Sequence, residues 1–280
     1  MMNYEKQIAE IRACARSLLE QNKADVILGY TGGSLEGALI PFFARTPADA
    51  DRLEWGDRCY QNLTPYLHGR TDRIGIAAKP CDVRGIVQYI TEGQLKREQI
   101  HIIGIDCRGM VDAEGMPRPA CAECRVHIPP IFDTHITDDR IRQTREPEDG
   151  TDHSAERFQR EIDKCILCYS CRQACYGCYC KTCFAERDVP NWLPAEMDSG
   201  TKKTFHLGRA MHLAGRCIEC GNCQAACASG VNLRYIIKEL TRFVEAEYDY
   251  RAGMDETAEP PMTSYADDDR EIGFWGEHEA

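Results

Sequence analysis

Seven of the seventeen cysteines of this chain fall within the nineteen residues from Cys165 to Cys183. Cys165, Cys168, Cys171 and Cys175 follow C-x2-C-x2-C-x3-C, and Cys217, Cys220, Cys223 and Cys227 repeat that spacing. Three thiolates two residues apart can wrap one face of an iron-sulfur cubane, because so short a loop turns its side chains toward a common centre. The fourth Cys starts the next element and is displaced toward a neighbouring cluster. The spacing therefore predicts two 4Fe-4S clusters with exchanged fourth ligands: Cys165, Cys168, Cys171 and Cys227 on one, and Cys217, Cys220, Cys223 and Cys175 on the other. Zinc also takes C-x2-C pairs, but two full repeats of four exceed what zinc needs. The Pro that usually follows the fourth Cys is replaced by Tyr176 and Ala228, a change that bears on backbone shape more than on ligation.

Cys178, Cys180 and Cys183 remain in the same stretch. They could hold a further metal centre with a fourth ligand such as Cys14 or Cys59, one of them could replace Cys175, or they could be surplus buried thiols; the first reading is favoured. Another set comprises Cys81 in KPCD, Cys107 in DCRG, and Cys121 and Cys124 in ACAEC. Cys81 and Cys107 each follow a predicted strand, and parallel strands present their C-terminal loops on one edge of a sheet. A C-x2-C loop can close the coordination there. In the alternative, the first two are small core residues and the pair binds zinc or nothing.

The elements that must position these thiols begin with an amphipathic helix carrying Ile8, Ile11, Ala15, Leu18 and Leu19 at helical spacing. ADVILGY reads as a strand, GGSLEG as a turn, and SLEGALIPFFA as a helix capped by Ser34 with Gly37 allowing close packing. RIGIAA and EQIHIIGID read as further strands, with VRGIVQYITEG a helix between them. Strands alternating with helices predict an α/β domain with a mostly parallel sheet over residues 1–137. Residues 138–155 are polar with Pro and Gly and read as a linker. A mainly helical, ferredoxin-like iron-sulfur domain follows over 156–246, closed by a helix in VNLRYIIKELTRFVEAEY, and 247–280 form an acidic tail. If GGSLEG opened a helix, its N-H groups would suit a phosphate, but a plain turn fits as well. His206 and His212, flanking Arg209, read as packing or solvated residues, and Trp192 as a packing anchor.

The 280 residues are 43% apolar and 28% charged, with no apolar run long enough to span a bilayer. Acids and bases interrupt the N-terminal stretch from the fifth residue on, unlike a signal peptide, so the expected location is cytoplasmic with no membrane insertion. Thiols in that compartment stay reduced, which favours ligation over disulfides. The net charge of -11 argues against nucleic acid as a partner. Eleven acids against two Arg in residues 247–280 concentrate that charge in the tail. The tail reads either as a solubilising segment or as a strap that orders on a partner through IGFW.

GYTGGSLEGALIPFF, AAKPCDVRGI, IIGIDCRGM and CAECRVHIPPIFD, taken in order, resemble the beta subunits of deazaflavin-linked hydrogenases and formate dehydrogenases over roughly residues 25 to 137. The resemblance implies an α/β domain in which Cys81, Cys107, Cys121 and Cys124 ligate a 4Fe-4S cluster. It also implies that Gly32, Gly33, Ser34 and Lys79 lie near a flavin, FAD or FMN, that exchanges electrons with a diffusible hydride carrier. Residues 156 to 245, through FHLGRAMHLAGRCIECGNCQAACASGVNL, resemble the helical ferredoxin modules of heterodisulfide-reductase-type redox subunits. The expected function is that of an iron-sulfur electron-transfer subunit, relaying single electrons between partner subunits of a hydrogenase, formate dehydrogenase or heterodisulfide-reductase-like complex. The alternative is a flavin-containing subunit that exchanges hydride with a deazaflavin or nicotinamide carrier and feeds its clusters. A third reading, structural clusters in an interaction module, fits a row of adjacent centres poorly. No catalytic side chain is assigned, because neither a paired-acid motif nor a nucleophile with its base can be named.

Overall fold

The computed structural model describes residues 4–140 and 155–261. Helix α1 (Glu5–Glu20) buries Ile11, Ala15, Leu18 and Leu19, as its periodicity requires. The chain then enters β1 (Val26–Gly32) and returns at once in β2 (Leu39–Ala44), which pairs antiparallel with β1 from Ile27 opposite Ala44 to Gly32 opposite Leu39. The helix expected at Ser34 is therefore absent, and GGSLEG is the loop of a β-hairpin. Ile40, Phe42 and Phe43 favour a pleated strand, and Pro41 would have broken a helix but is tolerated at a sheet edge. Gly37 turns the loop at φ 69°, and Gly33 N-H closes it on the Ala38 carbonyl at 2.7 Å.

Strand β3 (Ile74–Ala78), helix α2 (Pro80–Thr91) and strand β4 (Ile100–Ile105) form a β-α-β unit. The short helix α3 (Pro119–Ala122) precedes β5 (Thr134–Ile136). The sheet order is β2-β1-β3-β4-β5, and every pair but the β1-β2 hairpin is parallel. The expected α/β domain with a mostly parallel sheet is thus observed. Strands β3 and β4 are buried almost throughout, as in a sheet covered on both faces.

The remainder is helical: α4 (Ala155–Asp163), α5 (Ser170–Gln173), α6 (Ser199–His212), α7 (Asn222–Ala225) and α8 (Leu233–Tyr248). Among the described residues, no helix is long and apolar enough to cross a membrane. Trp192 is 56% exposed and not the buried anchor expected. Leu193 beside it is buried instead. Residues 141–154 of the expected linker lie outside the described residues, as do residues 262–280 of the acidic tail, including IGFW.

The two halves are clasped. Arg216 holds Glu92 through Nε at 2.5 Å and Nη2 at 2.7 Å, and Tyr179 Oη donates to the same carboxylate at 2.5 Å. Burial opposes the charge on Glu92, but these donors hold its carboxyl below the usual range. Tyr89 Oη donates to the Tyr176 carbonyl at 2.8 Å, and the Asn222 side chain accepts from Asn62 N-H at 3.1 Å. Residues just after α8 also fold back, since Arg84 Nε and Nη2 donate to the Ala252 carbonyl at 3.0 and 2.8 Å. Gly253, at φ 74°, has no room for a Cβ, which would lie 2.2 Å from the Arg84 carbonyl oxygen. The first residues of the supposed tail are therefore a strap on this chain's own α2.

Candidate metal centres

The two cysteine repeats fold alike. In the first, Leu167 and Tyr169 take left-handed backbone at φ 50° and 59°; in the second, Glu219 and Gly221 do so at 60° and 75°. Each repeat then enters a helix of four residues, α5 or α7. Left-handed backbone at non-glycine residues is uncommon and costs on the order of 1 kcal/mol or more. Three such residues at matched positions make each loop curl around its own sulfurs. The curl also aims N-H groups at sulfur two residues upstream: Leu167 N-H at Cys165 Sγ, 3.3 Å, and Glu219 N-H at Cys217 Sγ, 3.4 Å. Donors of this kind favour a thiolate over a thiol.

The fourth cysteines are exchanged between the repeats. Cys165 feels the charge of Cys227 and Cys168, and Cys171 that of Cys165 and Cys227. Cys175 lies instead with Cys217, Cys220 and Cys223, and these four line one small cavity of about 30 Å³. The structure thus brings Cys175 together with Cys217, Cys220 and Cys223, and packs Cys165, Cys171 and Cys227 in one apolar cluster, while Cys168 stays exposed.

The third set gathers in the other half. Cys81 is in the first turn of α2, just beyond β3; Cys107 follows β4; Cys121 lies in α3 and Cys124 just after it. All four line a cavity of about 50 Å³, to which Cys220 also contributes. Gly109, at φ 94°, bends the loop after Cys107 and donates its N-H to Cys107 Sγ at 3.4 Å. Cys220 therefore stands between the second and third sets. Cys171 and Cys223 pack in one apolar cluster, which sets the first group of thiols next to the second.

Buried cations accompany these thiols. Arg209, 4% exposed, sits on α6 with its Nε lacking a hydrogen-bond partner and its Nη2 donating to the Cys171 carbonyl at 3.2 Å. Burial alone would weaken its charge, but the thiols of Cys175, Cys223, Cys178 and Cys171 around it raise its pKa. Among the described residues no carboxylate pairs with this arginine, which suits a site that carries negative charge when filled. Arg84 is buried beside Cys81 and also donates to the Ile218 carbonyl at 3.0 Å. As free thiols Cys107, Cys217 and Cys171 are held protonated: burial pushes the first two up to about 12 and the third to about 11, whereas hydrogen bonds from Ser170 lower the exposed Cys168. Filling each set must release those protons. Cys175 goes the other way, because Cys178 donates to it and Arg209 is close.

Among the described residues, no three His, Cys, Asp or Glu side chains are gathered tightly enough to hold one metal ion. A tetrahedral zinc would draw its four sulfurs to about 3.8 Å from one another, given Zn-S bonds near 2.3 Å. An iron-sulfur cluster takes four thiolates, and the all-cysteine donor set with the buried Arg209 beside it is one that such a group would fit.

The other expected site residues lie elsewhere. Cys178, Cys180 and Cys183 line a separate cavity of about 610 Å³ on which no fourth cysteine opens. Cys59 is buried in the α/β core, and Cys14 on α1 contacts Thr134, so neither reaches that cavity. Gly32, Gly33 and Ser34 occupy the hairpin at the sheet edge. Lys79, 1% exposed, is tied to Asp82 Oδ2 at 2.8 Å, to the Gln61 carbonyl at 2.9 Å and to Tyr30 Oη. His206 is buried, and its pKa falls to about 4 through burial and the nearby Arg209. Arg209, Arg84 and the large cavity were missed from sequence. A lone Arg on the apolar side of FHLGRAMHL is the one signal that could have marked the first.

No family model matches the chain. Over 115 residues it is 30% identical to the F420-dependent formate dehydrogenase subunit beta of Methanocaldococcus jannaschii, covering 38% of this chain and 28% of that protein. Among solved structures it is similar to a chain of the F420-reducing NiFe hydrogenase complex from Methanosarcina barkeri, at 14% identity and a TM-score of 0.32, with 40% of this chain and 44% of that chain covered. The chain thus spans less than a third of the curated relative it matches, and within the matched stretch it resembles a subunit of an F420-dependent enzyme.

Proposed function

We propose that this protein is an iron-sulfur electron-transfer subunit of a larger cytoplasmic redox complex. Cys165, Cys168, Cys171 and Cys227 would hold one 4Fe-4S cluster, Cys217, Cys220, Cys223 and Cys175 a second, and Cys81, Cys107, Cys121 and Cys124 a third. Bound clusters would supply one-electron carriers. The chain's own part is to ligate them, to exclude water by burial, and to set their potentials through N-H donors to sulfur and the cations Arg209 and Arg84. The observation that carries this reading is the position of Cys220, which walls two thiol quartets at once. Such sharing suits a route for electrons and serves no purpose for separate structural metals.

The partition into an α/β part (1–137), a ferredoxin-like part (156–246) and segments joining and following them belongs to the same proposal. So do the partners: redox subunits of a hydrogenase, formate dehydrogenase or heterodisulfide-reductase-like complex, to which electrons enter and leave through interfaces. The likeness to a formate dehydrogenase beta subunit supports a partner of that kind. A flavin at Gly32, Gly33, Ser34 and Lys79 gains no support, since the hairpin leaves no helix N-terminus there and Lys79 is already bonded on three sides.

Anaerobic purification followed by separate Cys81→Ser, Cys171→Ser and Cys217→Ser changes tests the assignment. Each variant is expected to lose the reducible signal of one cluster. Loss of no signal from any of the three would refute the ligand sets.

A further inference from the structure

The cavity beside Cys178, Cys180 and Cys183 differs in kind from the thiol quartets. At about 610 Å³ it is more than ten times the volume of either quartet cavity, and it falls within the roughly 300–1,000 Å³ of small-molecule sites. Its cationic wall is Arg172, Lys181, Arg209 and Arg216, opposed among the lining residues by one acid, Glu186. Glu186 takes only Nη2 of Arg172, at 2.6 Å. Arg172 Nη1 and Arg209 Nε are buried with no hydrogen-bond partner. Buried polar atoms are seldom left in that state, and here two guanidinium groups on one cavity share it.

The rest of the wall is aromatic. His68 stacks on Tyr179 with centroids 5.5 Å apart and planes 24° from parallel, and Phe184 and Phe205 face the same space. Rings supply a platform for another flat molecule, and a guanidinium nitrogen left unpartnered, as Arg172 Nη1 and Arg209 Nε are, can donate to phosphate or carboxylate even though the rest of each group is bonded to Glu186, the Cys171 carbonyl and nearby thiols.

We infer that this cavity binds an anionic aromatic molecule of mononucleotide size, its ring against the His68–Tyr179 and Phe184 walls and its acidic group on Arg172 and Arg209. Cys178 donates its N-H to the Cys175 carbonyl at 3.2 Å, so an occupant adjoins the second thiol quartet. The binding claim stands on the cavity itself; only its use as a terminus for electrons rests on the cluster reading above.

The test uses the full chain, purified anaerobically, with FMN as the probe and riboflavin as the same ring without the phosphate. FMN is expected to bind saturably, riboflavin at least ~10-fold more weakly, and inorganic phosphate to compete with FMN. Arg172→Gln and the exposed Lys181→Ala are each expected to weaken FMN binding several-fold to ~10-fold, with iron content and circular dichroism unchanged. Equal binding of FMN and riboflavin, or normal FMN binding by both variants, would overturn the inference. So would a drop of about four irons per chain in the Cys180→Ser/Cys183→Ser variant, because the cavity would then house a fourth cluster. Clusters absent but FMN bound would remove the electron-transfer reading and leave the site standing.

Discussion

The two halves of this molecule present thiols in opposite ways. In the N-terminal half, Cys81 and Cys107 hang from the ends of β3 and β4, strands whose side chains belong to a large continuous apolar core. In the helical half, α5 and α7 are single turns, and apart from Tyr176, Ile218 and Ala252, which join the large core, most buried apolar groups fall in two small clusters in which the cysteines themselves take part. The sheet can fold and then offer a site. The twin repeats have little to fold around except what their sulfurs hold.

The largest consequence concerns metal removal. Chelating iron under reducing, anaerobic conditions should abolish most of the helical signal from residues 155–248 and open that half to protease, while the sheet survives. Metal binding to sites that form only on folding contributes on the order of 10 kcal/mol, more than two small apolar clusters can replace. Retention of helicity and protease resistance in the iron-free chain would break the contrast between the halves.

Next is the clasp between them. Glu92→Ala leaves the partly buried Arg216 guanidinium without its carboxylate, at a cost below the roughly 3–5 kcal/mol of a fully buried pair. Urea unfolding followed by a probe in each half should show the two transitions drawing apart. Coincident, unshifted transitions would mean that the halves are joined by other contacts.

A smaller effect sharpens the picture inside the helical half. His206 has a folded-state pKa of about 4, below its ordinary value of 6.5, so the fold prefers it neutral. Its contribution is fully present above pH 6.5 and is lost as pH falls toward 4. At pH 5 the loss amounts to about 2 kcal/mol. His206→Leu should therefore flatten the decline in stability between pH 6.5 and 5, read from urea midpoints at the two pH values. An unchanged slope would show that the imidazole is solvated.

Much of this was legible in the residues because local rules sufficed. The 3.6-residue pattern of α1 and α8, the apolar runs of β3 and β4, and the three-residue steps of the cysteine repeats each encode their own geometry. The hairpin was misread because SLEGALIPFFA has the length of a helix, and only Pro41 and the aromatic pair after it weigh toward a strand. Other features depend on distant partners. Cys220 meets Cys81, Arg209 reaches both repeats, and residue 252 returns to Arg84, contacts that no local pattern announces. Trp192 looked like an anchor on hydrophobicity alone, yet its neighbour Leu193 fills that role.

The most direct test of the central claim is an EPR-monitored redox titration of the anaerobically purified chain, with iron and acid-labile sulfide counted on the same sample. The prediction is about twelve of each per chain and three reducible centres whose spins interact, as adjacent clusters must. Zinc without sulfide, or iron whose signals do not change on reduction, would contradict it.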